Sequence, residues 1–499
     1  MSRTAFSARK LMMVAALLLS GCAVPDLGPR PEPRTAASVE SRQSLAADAT
    51  DWPAEDWWSV YGDTQLSTLM EEGIRNAPDM AAAAARFSQA AAAARQAGAA
   101  LAPTVDLNAS AGGTKQSYNM GMPKEFVPKG ILGTGNIALD FGFDLDLWGR
   151  NRAALAAATS QARAAEIDQR QARLVLTTGI ADAYADLARL FDERDIRQRA
   201  LDIRLSSQKL VSDRQKNGLE TRGNLRQSDA TVASARAQLS AIDQQIALRR
   251  HQIAALIGAG PDRGLSIARP QVGALRPLGL PADVTTNLVV RRPDVAAALA
   301  RTEAAAKRID VARADFFPAI RLSALVGVQS LGYETLFNGA GISGSSTPFV
   351  NNLFEKDSLY GNAGPAISLP IFHGGAIKAQ YRNARAQYDE AVATYDKAVL
   401  GAYQEVADAV TSRRMIDQRL VDARAAVTAS EDAYAIARKR YEGGLSTYLD
   451  VLNVENQLLD TRQTVADLEA SAFSTDIALI RALGGGFAAG ALPKDQPHG

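Results

Sequence analysis

Cysteine is almost missing from this sequence. Its one copy, Cys22, excludes a disulfide within the chain and any cysteine-built metal site. Histidine is scarce too: His251, His373 and His498 lie far apart and form no ligand pattern. Neither sign of charge is in excess, with 55 basic against 54 acidic side chains, so nothing favours a nucleic-acid partner. Aromatic residues make up only 6% of the 499, low for a compact core of several layers. Alanine takes their place, and small side chains suit helices packed closely along their length. The sequence has no nucleophile–base constellation, phosphate loop or metal cluster. Neither an enzyme nor a bound cofactor is expected.

The N-terminus reads as an address. Arg3, Arg9 and Lys10 precede the apolar run LMMVAALLLS, too short to cross a bilayer as a helix. The run ends at LSGC, Leu19 to Cys22, which resembles a lipoprotein signal, whose cysteine takes diacylglycerol and an acyl chain. The competing reading is an ordinary secretory signal with a chance cysteine. Ala23, where an aspartate would signal retention, fits delivery to the outer membrane as that resemblance implies. Residues 1–21 are expected to be the signal and 22–62 an anchored tether. The stretch AVPDLGPRPEPR should run extended.

The rest of the chain repeats itself. Shifting by 215 places Pro78 on Pro293, Asp79 on Asp294, Arg86 on Arg301 and Pro103 on Pro318. Further along, a shift of 226 places Gly218 on Gly444, Leu219 on Leu445, Thr221 on Thr447 and Gly258 on Gly484. The change in shift fits one longer loop in the second copy, within SLGYETLFNGAGISGSSTPFVNNLFEKDS. The expected repeats are 63–277 and 278–486, joined through the Pro-rich stretch before Asp283, with a flexible tail over 487–499.

Each copy reads in the same order: a short helix, an Ala-rich helix, two strands, a very long helix, a glycine turn and a last helix. The long helices are expected from about Asn151 to Asn217 and from about Gly375 to Glu442, uninterrupted by proline and roughly 100 Å long. The turns KNGLET and EGGLST supply glycine where each must stop and reverse. In the last helices, Leu225, Ser228, Val232, Ala235, Leu239, Ile242 and their counterparts from Val451 to Ala482 step alternately by three and four. That spacing is a coiled-coil seam.

The strands alternate with period two. In NIALDFGFDLDLW, Ile137, Leu139, Phe141, Phe143, Leu145 and Leu147 face away from Ala138, Asp140, Gly142, Asp144 and Asp146. PAIRLSALVGVQ does the same, while TVDLNASAGG and NAGPAISLPIF alternate more weakly. Two hairpins on a soluble α+β domain would need an apolar layer over those faces, and the chain offers none. Lipid would cover them. Four strands cannot close a barrel, and an open edge in hydrocarbon leaves backbone groups unpaired. Several chains must therefore combine. Two would give about eight strands and a filled interior, three about twelve and an aqueous lumen.

DWWSVYGDTQLSTL, NAPDM, LPADVTTNLVVRRPDVAAA, FFPAI and RYEGGLSTYLDVL together resemble the TolC-like outer membrane factors, in particular their lipoprotein (NodT-type) branch. The resemblance runs from about Trp57 to Gly484. It implies a mainly α chain with a membrane β-barrel portion. Three chains would form a twelve-stranded barrel continuous with a helical barrel in the periplasm. It implies a homotrimer in outer membrane lipid, docked to a periplasmic adaptor and an inner-membrane pump, passively conducting small molecules. It also implies a gate at the hairpin tips. There Tyr441 and Asp450 match a gating tyrosine and a ring aspartate. Asn224 stands where the tyrosine's acidic partner would be, Ser446 replaces an arginine, and Asn453 replaces a second acid. The charged latch is thus expected to be largely absent, with closure leaning on hydrogen bonds and apolar packing. Gly218, Leu219, Gly444 and Leu445 at the turns are the expected adaptor contact. Two alternatives stand beside this reading: a lipid-anchored coiled-coil scaffold without a pore, and the channel of a protein-secretion system.

Overall fold

The computed structural model of the chain describes residues 24–119, 121, 123, 127, 131–271, 273, 279–331 and 353–488. Cys22 with the signal segment, most of the long Gly/Ser/Asn loop and tail residues 489–499 lie outside them. In chain order the elements are β1 (Asp48–Thr50), α1 (Thr64–Asn76), α2 (Pro78–Ala99), β2 (Thr104–Thr114), β3 (Leu132–Asp144), α3 (Arg150–Lys216), α4 (Arg222–Leu256) and α5 (Pro261–Leu265). They continue as β4 (Gly279–Pro281), α6 (Val284–Arg291), α7 (Pro293–Ala314), β5 (Ala319–Leu331), β6 (Leu359–Ser368), α8 (Ala376–Glu442) and α9 (Tyr448–Ala482). The duplication shows in the lengths. The proline-led helices α2 and α7 have 22 residues each, the long helices α3 and α8 67 each, and the closing helices α4 and α9 35 each.

Two compact units make up the chain. One comprises residues 1–30, 90–162 and 302–390 and holds a four-stranded antiparallel sheet of order β2-β3-β5-β6. Its register sorts the side chains cleanly. Val105, Phe141, Ala324 and Ala363 lie in one cross-strand row, and Leu107, Leu139, Val326 and Gly361 in a second. Successive residues alternate faces, so the rows between belong to the other face. These are Thr104–Gly142–Ser323–Gly364 and Asp106–Asp140–Leu325–Asn362, the last carrying two aspartates directly opposite each other. On the first face Val105, Leu107, Leu139, Val326, Leu359 and Ile367 are exposed. The four-strand order leaves β2 and β6 as edges.

The other unit comprises residues 31–89, 163–301 and 391–499. The coiled-coil seam of α4 is buried at Ser228, Val232, Ala235, Ile242, Ile246 and Ile253. The closing helix α9 buries more than one seam: Leu452, Glu455, Leu459 and Phe473 are inside along with Val451, Leu458, Leu468 and Ala472. Its extra face packs on α3, where Leu459 and Ala466 meet Ile196 and Ala200. One core cluster gathers several of the scarce aromatics. Trp57, Trp58, Tyr61 and Tyr184 join Leu66, Leu69, Ile253 and Phe473, with the Tyr61 and Phe473 rings edge to face at 4.7 Å.

Periodicity does not foretell the parallel pair β1–β4, which matches Asp48 to Gly279 and Thr50 to Pro281. The segment before it carries a short 3-10 turn at Ala36–Ser38, its proline-rich part has no regular structure, and it is fastened. Arg34 donates its backbone N–H to Asp396 at 2.9 Å, Leu45 is buried, Arg414 donates to the Ala46 carbonyl at 2.9 Å, and the Trp52 indole donates to Asp283 at 2.8 Å. An extended backbone has N–H and C=O groups to satisfy, and the charged side chains of α8 supply partners.

Candidate functional site

The ends of α3 and α8 are built alike. At the first, Gly218 and Leu219 donate their N–H groups to the carbonyls of Gln215 and Arg214; at the second, Gly444 and Leu445 donate to Tyr441 and Arg440. This paired six-to-one and five-to-two closure needs a left-handed residue. Gly218 and Gly444 have φ of +68° and +74° with open space where a Cβ would stand, so the requirement is conformational rather than steric. Each turn then starts a helix on a threonine. Thr221 Oγ1 accepts from Asn224 N at 3.1 Å and Thr447 Oγ1 from Asp450 N at 3.3 Å. Leu219 and Leu445 protrude, 66% and 73% exposed.

The copies diverge where Glu220 and Asn224 of the first correspond to Ser446 and Asp450 of the second. Asp450 turns inward on its own turn: its Oδ2 takes the Thr447 N–H and hydroxyl, both at 2.8 Å, completing a reciprocal cap. The Thr447 N–H and hydroxyl hold this carboxyl below its usual range. Glu220 instead reaches across to the other hairpin. Its Oε2 accepts the Tyr441 hydroxyl at 3.1 Å, while Oε1 takes the Asn224 amide at 2.6 Å and the Thr221 N–H at 3.0 Å. Arg214 completes the cluster, with its guanidinium 5.0 Å from the centre of the Tyr441 ring and its Nη1 donating to the Tyr441 carbonyl at 3.3 Å.

The electrostatics follow from these partners. Partial burial works to raise the Glu220 carboxyl. The hydrogen bonds from Thr221, Asn224 and Tyr441, with the Arg214 charge, outweigh it and hold the group low. Burial first, and then the bond to ionised Glu220, push the Tyr441 phenol well up. The pair is therefore carboxylate and neutral phenol across a wide pH range. Beneath it Tyr441 and Tyr448 pack with Val211 and Val451. Deeper along α3, buried Arg204 donates to Glu455 Oε1 at 2.9 Å and to Asn456 Oδ1 at 3.2 Å. Burial raises the Glu455 carboxyl and Arg204 opposes it.

The structure therefore brings Tyr441 and Asn224 together, but through Glu220. Asp450 and Asn453 stand apart from that cluster: Asp450 is engaged in its cap, and Asn453 is exposed one turn along α9. Ser446 is half-buried, and its hydroxyl has no hydrogen-bond partner among the described residues. Beside the hydrogen bonds and apolar packing expected there, Glu220 and Arg214 bring a carboxylate and a guanidinium onto Tyr441. Matching position by position missed them because Glu220 lies in the turn, four residues ahead of Asn224. A glutamate beside the Leu219 turn, with an arginine one and a half helical turns before it, was the available signal. Arg204 and Glu455 left a weaker trace, a charged residue on the flank of an apolar seam.

Comparison with known proteins places these elements in context. The family model described as outer membrane efflux protein matches residues 69–259 and 285–485. The crystal structure of the outer membrane protein VceC from Vibrio cholerae is 40% identical, with a TM-score of 0.78 over 87% of this chain and 100% of its own. The fusaric acid resistance protein FusA of Burkholderia cepacia is 32% identical over 74% of this chain and 67% of its own length. The pyoverdine export outer membrane protein OpmQ of Pseudomonas aeruginosa is 29% identical over 96% and 98%.

Proposed function

This chain belongs to the outer membrane efflux protein family, and on that premise we propose that it is the trimeric outer-membrane duct of a tripartite system. It would carry small molecules passively from a periplasmic adaptor and inner-membrane pump. The observation that carries this reading is the sheet. One face is apolar and exposed, and the outer sides of both edge strands have no partner strand among the described residues. In hydrocarbon each unpaired backbone group costs several kcal/mol, so β6 of one chain must pair with β2 of the next. Three four-stranded sheets make twelve strands, and the polar face then lines the lumen. FusA and OpmQ are named for small molecules, which supports that class of cargo.

The repeats correspond to 63–277 and 278–486, each giving two strands and one helical hairpin. The Tyr441–Glu220–Arg214 cluster acts as the latch between hairpins, and the protruding Leu219 and Leu445 are the adaptor contact. Asp450, repeated three times about the axis, makes an anionic collar at the mouth. In planar bilayers the reconstituted protein should conduct, and trivalent cations added from the hairpin side should block it. Asp450→Asn should weaken that block several-fold while the cap on Thr447 persists through the amide oxygen. A protein that inserts but never conducts sinks the duct, and block of unchanged strength removes Asp450 from the mouth.

Cys22 is the lipid attachment point in this reading. Cells fed labelled palmitate should label the native chain and not Cys22→Ser. Equal labelling of the two would place the lipid elsewhere.

A further inference from the structure

All four strands meet helices at one end of the sheet: α2 and α7 lead into β2 and β5, and β3 and β6 lead out to α3 and α8. Just past the strand ends there, Leu147, Trp148, Leu369, Ile371 and Phe372 stand in the open, Phe372 at 86% exposure. The Trp148 ring is fixed in place. It stacks on Phe317 with centroids 4.7 Å apart, and its indole N–H donates to the Pro318 carbonyl at 2.8 Å. Tryptophan held this way, apolar body exposed and polar tip satisfied, suits the boundary between acyl chains and water.

Directly beneath lies a cavity of about 500 Å³, walled by Trp148 and Phe317 and edged by Arg152, Lys307, Asp310 and Arg313. Its size is ordinary for a ligand site. Three cations against one acid leave a net charge of +2 on the lining. The acid is shared, since Asp310 lies 3.7 Å from both Lys307 and Arg30. Arg152 is turned toward Asp146 at 3.2 Å, and Arg313 forms no ion pair among the described residues.

An aromatic wall on the membrane side and a net positive edge on the other, with Arg313 in no ion pair among the described residues, select an amphiphile with a phosphate. A soluble anion has no use for the wall, and a zwitterionic headgroup leaves the charge uncompensated. The geometry points to a headgroup site for an anionic phospholipid, one per chain, with its acyl chains running up the apolar strand face. The inference rests on the reading of that face as lipid-covered. It adds a specific lipid that seats the junction of sheet and helices at the membrane surface.

Native mass spectrometry of the full-length trimer in detergent, mixed with phosphatidylglycerol or phosphatidylcholine, tests it. Phosphatidylglycerol should be retained at one molecule per chain and phosphatidylcholine lost. A basic side chain facing an anionic headgroup is worth roughly fivefold, so Lys307→Ala with Arg313→Ala should weaken retention about 25-fold, and Arg313→Gln alone about fivefold. The exchange Lys307→Arg with Arg313→Lys should keep it. Arg313 is exposed and holds nothing in place, so Arg313→Gln decides the matter even where the double variant fails to assemble. Retention unaffected by Arg313→Gln, or phosphatidylcholine held as firmly as phosphatidylglycerol, overturns the site. Displacement of the lipid by equimolar glycerol phosphate also does, assigning the cavity to a free phosphate. Loss of the trimer in the unsubstituted protein would instead be a failure of the duct reading.

Discussion

An arginine at Leu139 is expected to abolish the assembled trimer, and the same arginine at Ser323 to leave it intact. Leu139 lies at mid-strand in β3, between Leu107 and Val326 on the apolar face, and is 46% exposed. If lipid covers that face, a charge there costs about 2–4 kcal/mol near the bilayer midplane, hence about 6–12 kcal/mol over three chains. That rivals the whole stability of an ordinary fold, about 5–15 kcal/mol. Ser323 lies three rows away on the opposite face, between Gly142 and Gly364, where small neighbours leave room and the lumen is wet. Outer membrane fractions run unheated and heated read the result directly, because an intact trimer migrates as a large species that heat dissociates. Were Leu139→Arg to give as much of that species as Ser323→Arg, the apolar face would not be meeting lipid.

Removing the Glu220 carboxylate is expected to open the duct. A hydrogen bond to a charged group contributes about 1.5–3 kcal/mol. If three latches must part together, Glu220→Ala shifts the closed-to-open balance by about 4.5–9 kcal/mol, three or more powers of ten. Tyr441→Phe should act in the same direction and more weakly, since Arg214 remains over the ring. Single-channel recordings should show long open dwells in the variants where the native protein is mostly shut. Native-like closure of Glu220→Ala would take the cluster out of the gate.

The pH dependence carries its own signature. The latched Glu220 is held below its free value of 4.5, so its contribution is present above that value and lost as pH falls through the lowered one. The latched Tyr441 is raised above 10.0, so its contribution is present below that value and lost only as pH rises through the raised one. Closure should therefore be flat from about pH 5 to about pH 9 and fail in strong acid, and Glu220→Ala should remove the acid limb.

Much of this architecture is legible along the chain because its determinants are local. A period of two marks the strands, three-four spacing marks the seams of α4 and α9, and the glycines at the two hairpin tips, one in each copy, stand 226 residues apart. None of these needs a distant partner, so each can be read from a window of a dozen residues, and the repeat reinforces every one. The need for several chains follows in the same way, from an apolar face and two edges that the sequence offers nothing to cover.

What folding alone decided are the long-range polar contacts. Glu220 meets Tyr441 across 221 residues and Arg204 meets Glu455 across 251. β1 finds β4, and Asp450 is spent on a cap, while its counterpart position leaves Glu220 free to cross to the other hairpin. A charged side chain satisfies itself with whatever donor the packed backbone sets within about 3 Å. That choice is made by how α3, α8 and α9 lie together, and no periodicity in the sequence records it.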